Sequence, residues 1–88
     1  MQIVISGALL KFVNYQREHE LEATTPLMGI KALTEKFPNL KHAIFDESGV
    51  LRKFNIVYVD KKKATGSCLD LEASNSTKVE IITAIAGG

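Results

Sequence analysis

Residues 79–88 read VEIITAIAGG, an apolar run that is rich in β-branched side chains and ends in two glycines. Isoleucine, valine and threonine favour extended backbone, so the run predicts a final strand. Gly87 and Gly88 have no Cβ and make a thin thread that can enter a narrow channel. The terminal carboxylate of Gly88 is ionised at neutral pH and can act as a nucleophile. A frayed end without function is the simpler alternative.

The composition of the chain excludes several classes of protein. Its 88 residues, 45% of them hydrophobic, fit one domain with a modest core. Eleven basic and ten acidic residues give a net charge of +1, so no overall basic field predicts binding to nucleic acid or to a membrane. The absence of an 18-residue apolar span and of a signal-like start predicts a soluble, cytoplasmic protein. One cysteine, Cys68, excludes an internal disulfide and fits a reducing compartment.

The first 23 residues predict a β-hairpin. Residues 2–5 form a short β-branched strand, which the Ser6-Gly7 pair ends. Residues 17–23 alternate three glutamates with His19, Leu21 and Ala23, the pattern of a half-exposed strand.

A helix is predicted to follow the hairpin. Thr25 is the expected N-cap, and Pro26 occupies the first helical position, where its missing N–H is not needed. One apolar stripe then recurs at three- and four-residue spacing: Leu27, Ile30, Leu33 and Phe37. Pro38 ends the helix because it disfavours α conformation at Phe37. Gly29 costs stability inside a helix, so we expect another segment to approach its backbone closely.

The second half of the chain predicts mainly strands. Residues 40–45 read as a short helical turn that seals the core, and residues 46–49 as a turn. Residues 51–59 are apolar on both faces and predict a central strand. Lysines 61–63 read as a solvated turn, residues 68–71 as a weak strand, and residues 75–77 as the turn into a last strand that begins at Lys78.

The predicted order is strand, strand, helix, strand, short strand, strand. This order predicts an α+β protein with a mixed sheet of four to five strands and one main helix lying across it, a β-grasp. Residues 1–86 would form the β-grasp domain, and residues 87–88 a flexible Gly-Gly tail.

The ending VEIITAIAGG resembles the tail of ubiquitin-like sulfur carriers, the family that holds the thiamine sulfur carrier and the small subunit of molybdopterin synthase. The resemblance extends to Ala32-Leu33 and Phe37-Pro38 at the end of the predicted helix, and to residues 51–54, LRKF. The middle segment, with its turn at residues 46–49, most resembles the longer carriers that serve cysteine, homocysteine or thiocarboxylate-siderophore biosynthesis.

The resemblance implies that a ubiquitin-activating-type enzyme uses ATP to adenylate Gly88, and that a sulfur nucleophile then replaces AMP to leave a thiocarboxylate. The chain would be a protein cosubstrate, not an enzyme. It would bind no cofactor of its own, present Ala86, Gly87 and Gly88 as its tail, and pass sulfur to an accepting enzyme. Some carriers of this type also need a protease to expose the glycine pair.

A partner-binding surface is expected on the sheet. An 88-residue domain cannot hide every apolar group of its last strand. We expect the outer face of the central and last strands, with Phe54, Tyr58, Ile82 and Ile85, to dock the activating enzyme.

Three functions remain open at this level. The first is a sulfur carrier for synthesis of an amino acid or another metabolite. The second is the small subunit of molybdopterin synthase, and the third is a ubiquitin-like modifier whose Gly88 becomes amide-linked to a lysine. A purely structural β-grasp module is the remaining alternative.

Other reactive side chains are weaker candidates. His19 lies on the apolar side of its strand, which favours packing over catalysis, and His42 is expected in a solvated turn. Without a second His or Cys at ligand spacing, no metal site is predicted. Cys68 fits a small buried hydrophobe better than a sulfur relay. Lysines 61–63 are either solvated or a charged rim that touches an acidic partner.

Overall fold

The computed structural model of the chain describes residues 1–64, 69 and 71–83. The strands are β1 (Gln2–Ile5), β2 (Glu18–Glu20), β3 (Asn55–Val59), β4 (Lys62–Ala64) and β5 (Lys78–Thr83). The α-helices are α1 (Pro26–Lys36) and α2 (Pro38–Ile44), and a 3-10 helix, Gly7–Val13, follows β1.

The five strands form one mixed sheet in the order β2-β1-β5-β3-β4. β1 runs parallel to β5, whereas the pairs β1–β2, β3–β5 and β3–β4 are antiparallel. This arrangement confirms the predicted α+β, β-grasp fold. The middle position belongs to β5, however, and not to the strand predicted from residues 51–59.

The core lies between the helices and one face of the sheet. Alternate residues of the strands point to it, so that Ile3 and Ile5 of β1 are fully buried, as are Val79 and Ile81 of β5. From the other side, α1 and α2 contribute Ile30, Leu33, Leu40 and Ile44, all without exposed surface. The predicted stripe of α1 therefore meets the core through Ile30 and Leu33, with Leu27 and Phe37 partly buried at its ends.

The start of α1 follows the predicted cap chemistry. The hydroxyl of Thr25 accepts a hydrogen bond from the backbone N–H of Met28 at 3.1 Å, and Pro26 occupies the first turn. Gly29 also behaves as predicted, because a Cβ built there would lie 2.6 Å from the Sδ atom of Met1. The absence of a side chain at position 29 lets the first residue of the chain pack beneath the helix.

β2 is shorter than the predicted strand over residues 17–23. Its alternation is nevertheless confirmed, because His19 is buried between the exposed Glu18 and Glu20. The Nε2 atom of His19 hydrogen-bonds the backbone carbonyl of Gln16 at 2.7 Å, and its ring meets that of Phe37 edge-on, with 5.5 Å between centroids.

The segment before β3 differs from the predicted long strand. The residues at 51–54 do not join the sheet: Leu51 forms an isolated bridge with Phe45, and the N–H of Arg52 donates to the carbonyl of Ile44 at 2.8 Å. The N–H of Asn55 then donates to the carbonyl of Arg52, which closes a turn. The first part of the predicted strand is therefore hydrogen-bonded to the end of α2 and not to the sheet.

The prediction that lysines 61–63 form a solvated turn is wrong for Lys62 and Lys63. Asp60 and Lys61 have φ of 50° and 70° and make a two-residue hairpin loop, after which Lys62 and Lys63 belong to β4. Positive φ at both loop residues is the geometry that matches the twist of paired strands. The strand predicted over residues 68–71 is also wrong for Leu69, which lies in a 3-10 turn, and for Leu71, which lies in a bend. Cys68 lies outside the described residues.

Candidate functional site

The root of the predicted tail is the end of β5. This strand lies between β1 and β3, and its last described residue, Thr83, is in register with Asn55 of β3. Both neighbours hold it: β1 pairs with residues Lys78 to Ile81, and β3 pairs with Val79 to Thr83. The chain therefore leaves the sheet from its middle strand. Ile85, Ala86, Gly87 and Gly88 lie outside the described residues.

An outer face of the sheet, defined here by Ile56, Tyr58, Glu80 and Ile82, points away from the helices. Ile56 lies directly opposite Ile82, and Tyr58 lies opposite Glu80. Ile82 is 37% exposed, whereas Ile56 and Tyr58 are partly buried. The structure thus brings Tyr58 and Ile82 of the predicted docking set onto one surface. That a partner binds there stays a prediction.

Phe54, which was also expected in the docking set, lies elsewhere. It precedes β3 and lines a depression of about 190 Å³ on the other side of the end of β5. Phe12 of the 3-10 helix, Ala43 of α2 and Thr83 of β5 line the same depression. Phe54 is therefore close to the root of the tail, but it does not lie on the outer face with Tyr58 and Ile82.

Charges of both signs border the outer face. In register across the strands, Glu18 of β2 is next to Val4 of β1, Val4 is next to Glu80, and Lys63 of β4 is next to Tyr58. Val4 is 5% exposed although its strand position points away from the helices. An apolar centre with charged residues of both signs beside it resembles the apolar core and polar rim of protein-binding surfaces.

The remaining reactive side chains do not assemble into a second site. His19 is buried and hydrogen-bonded, which agrees with the packing role predicted for it. His42 is exposed, but it lies in the last turn of α2 and not in the predicted turn. In residues 1–64, 69 and 71–83, no three His, Cys, Asp or Glu side chains are grouped as ligands for a metal ion. None of the helices described has the length and hydropathy to span a bilayer.

Two residues of interest were missed by sequence reasoning. Ile56 was not included in the docking set, although its register with Ile82 makes it the direct neighbour of that residue. Asn55 was not singled out within the central strand predicted over residues 51–59. In the structure it is only 6% exposed.

Comparison with known proteins gives matches only among solved structures. No protein-family model and no curated protein sequence matches the chain. The small archaeal modifier protein 1 from Haloferax volcanii has a TM-score of 0.86 at 17% identity, covering 99% of this chain and 97% of that one.

Two further structures are also similar over nearly the whole chain. The BexX/CysO complex of Amycolatopsis orientalis contains a chain that matches with a TM-score of 0.81 and 23% identity, over 99% of this chain and 98% of that one. The protein Urm1 from Sulfolobus solfataricus matches with a TM-score of 0.72 and 22% identity, over 94% of this chain and 99% of the other.

These neighbours are ubiquitin-like carriers and modifiers, the group to which the sequence pattern pointed. Because their identities to this chain are low, the similarity establishes architecture. The chain has the ubiquitin-like β-grasp fold.

Proposed function

We propose that this chain is a sulfur carrier protein whose terminal Gly88 is adenylated by a partner enzyme and converted to a thiocarboxylate. One observation carries the proposal: β5, the middle strand of a ubiquitin-like sheet, ends at Thr83, and Gly88, the second residue of the Gly-Gly pair, follows five residues later. Because β5 is bonded to β1 and to β3, the point at which the tail begins is fixed on the domain.

The chemistry needs only the carboxylate from this chain. An oxygen of the Gly88 carboxylate attacks the α-phosphate of ATP, and pyrophosphate leaves. Sulfide then attacks the carbonyl carbon of the acyl adenylate and expels AMP, which leaves a thiocarboxylate. If an enzyme persulfide attacks instead, the acyl disulfide that forms must be reduced by a thiol to release the thiocarboxylate. The partner supplies the ATP site, so the chain acts as a protein cosubstrate in the cytoplasm and holds no cofactor.

The outer face would dock the activating enzyme. Ile82 and Tyr58 supply apolar surface there, and Ile56 extends it. Ile85, which follows two residues after the end of β5, and Phe54, beside the root of the tail, would border this contact. Ala86 and Gly87 would lead Gly88 into the channel of the partner. A sulfur-accepting enzyme would then bind the charged carrier, and a protease is a further partner if the glycine pair has to be exposed.

A ubiquitin-like modifier is the second candidate. It is supported by the similarity to a protein named small archaeal modifier protein 1. In this case the activated Gly88 would form an amide with a lysine of a target protein. A molybdopterin synthase small subunit is the third, and it predicts stable copurification with a larger subunit into which the tail inserts.

The test is the intact mass of the protein after incubation with ATP, sulfide and an extract of its native cells. The matched control is a variant that lacks Gly87 and Gly88. We expect a mass increase equal to the replacement of one oxygen by sulfur, located at Gly88 and absent from the variant. Higher-mass conjugates that depend on the tail, without the sulfur product, would favour the modifier. The absence of both products would overturn the carrier proposal.

A further inference from the structure

The depression beside the end of β5 is a candidate docking site of a different kind from the outer face. Its volume of about 190 Å³ is below the range of roughly 300–1,000 Å³ that is usual for pockets that bind small organic molecules. Its apolar walls come from the 3-10 helix, from α2 and from the residue before β3: Ala8, Leu9, Phe12, Ala43 and Phe54. A space of this size and character suits an aliphatic side chain better than a cofactor or a metabolite.

The alternation of β5 indicates which side chain that is. Ile81 points into the core and is fully buried, whereas Ile82 points to the outer face. Thr83 is on the same side as Ile81 and lines the depression. Successive side chains of a strand point to opposite faces, and each residue advances the chain by about 3.3 Å. If extended backbone continues past Thr83, as the β-branched residues favour, the next side chain on the side of the depression is that of Ile85.

The turn before β3 places an aromatic ring beside this path. Asn55 pairs with Thr83 in the antiparallel register, so a longer β3 would set Phe54 opposite residue 84. The hydrogen bond from Asn55 to Arg52 takes Phe54 out of the ladder, and its side chain lines the depression instead. Phe54 and Phe12 are both only partly buried. Apolar ring surface is therefore available at the point where the described part of β5 ends.

We propose that this depression is the docking site of Ile85 in the free protein. Ile85 packs against the rings of Phe12 and Phe54, residue 84 spans the step from Thr83, and residues 86–88 extend beyond the contact. The burial of an isoleucine is favourable, but the ordering of two residues costs a comparable free energy. An activating enzyme that contacts Ile85 can therefore displace it from the depression at little cost. The contact lies within one chain and does not depend on adenylation or on sulfur transfer.

NMR of the full chain tests the contact directly. Nuclear Overhauser effects should join the δ1 methyl group of Ile85 to ring protons of Phe12 and Phe54. The ring currents should also shift that methyl signal upfield from its position in a free peptide of residues 83–88. Both effects should be independent of protein concentration, because the contact is intramolecular.

Two substitutions of isoleucine by alanine provide a matched comparison. Ile85→Ala should change the ring-proton shifts of Phe12 and Phe54, because it removes the side chain that covers them. Ile82→Ala, three residues earlier and on the outer face, should change the signals of Ile56 and leave those of Phe12 unchanged. In Phe54→Ala, the Ile85 methyl signal should return toward its position in the peptide.

Three results would overturn the proposal. One is an Ile85 methyl signal at the position of the free peptide, without contact to either ring. Another is contact of Ile85 with Ile56 or Tyr58, which would place it on the outer face. The third is contact that appears only at high protein concentration, which would assign the depression to the tail of a second copy. Because the first measurement uses the unmodified chain without a partner, its outcome is separate from that of the carrier test.

Discussion

Ile56 and Ile82 face each other across β3 and β5, on the side of the sheet that the helices leave open. Ile82 is 37% exposed, which is unusual for a large aliphatic residue in the middle strand of a five-stranded sheet. The pair marks the centre of the surface proposed to meet the activating enzyme.

We predict that Ile82→Asp abolishes adenylation while the domain stays folded. The substitution places a charge at the centre of an apolar contact, but the side chain is already partly in water, so the free energy of unfolding should fall by less than about 2 kcal/mol. The measurement is AMP formation with the activating enzyme, together with urea unfolding. Leu71→Asp, at a residue that is 63% exposed and outside the sheet, is the control. Normal adenylation of the Ile82 variant would remove the docking proposal.

Tyr58 and Phe54 should differ in their effect on activation. Tyr58→Ala removes an aromatic group from the outer face and should lower kcat/KM of the activating enzyme at least tenfold, since tyrosines are often energetic centres of interfaces. Phe54→Ala acts in the depression beside Thr83, and we expect a smaller change in kcat/KM. Both values come from the same adenylation assay. Equal losses would mean that the docking surface continues around the end of β5 to Phe54.

The N-cap of α1 offers a test of helix stability. Thr25→Ala removes the acceptor of the Met28 N–H and should lower the free energy of unfolding by about 1 kcal/mol. Thr24→Ala is the matched control, because the Thr24 hydroxyl contacts only the sulfur of Met28, at 3.4 Å, in the bonds described. Urea unfolding of both variants gives the comparison. Equal losses would contradict the assigned cap.

Asn55→Asp should destabilise the protein by about 2–4 kcal/mol at neutral pH. The change removes the donor to Ala43 and Ile44 and places a carboxylate where the side chain is 6% exposed. Burial raises the pKa of the introduced carboxyl group above its value in the unfolded chain, so the part of the loss due to charge should shrink as the pH falls toward about 4. The exposed Asn75→Asp is the control, and unfolding at several pH values is the measurement. A loss independent of pH would mean that the carboxyl is solvated.

Local signals predicted much of the fold. Thr25, Pro26 and Pro38 fixed the limits of α1 because caps and prolines act within a few residues, and Gly29 indicated the contact with Met1. The alternation in residues 17–23 identified the buried side of His19.

What could not be predicted depends on pairing between distant segments. The middle position of β5 follows from its bonds to both β1 and β3, which no local pattern encodes. Lys62 and Lys63 read as a solvated turn, yet pairing with Val59 and Tyr58 makes them part of a strand. In a continuous strand Phe54 would share a face with Tyr58. The turn closed by Arg52 and Asn55 moves Phe54 off the outer face. Of the residues in the predicted docking set, the structure therefore places Tyr58 and Ile82 on one face and Phe54 away from it.

The middle position of β5 also has a mechanical consequence. If a partner draws the Gly-Gly end into a channel, as proposed, the pull is transmitted to the end of this strand at Thr83. Because β5 is bonded to β1 on one side and to β3 on the other, such a pull loads two ladders of hydrogen bonds in shear, so that many bonds must fail together and not one after another. An edge strand would unzip under the same load. The domain should thus resist a pull on its tail, so an activating enzyme of the proposed kind would hold the end group without unfolding the carrier.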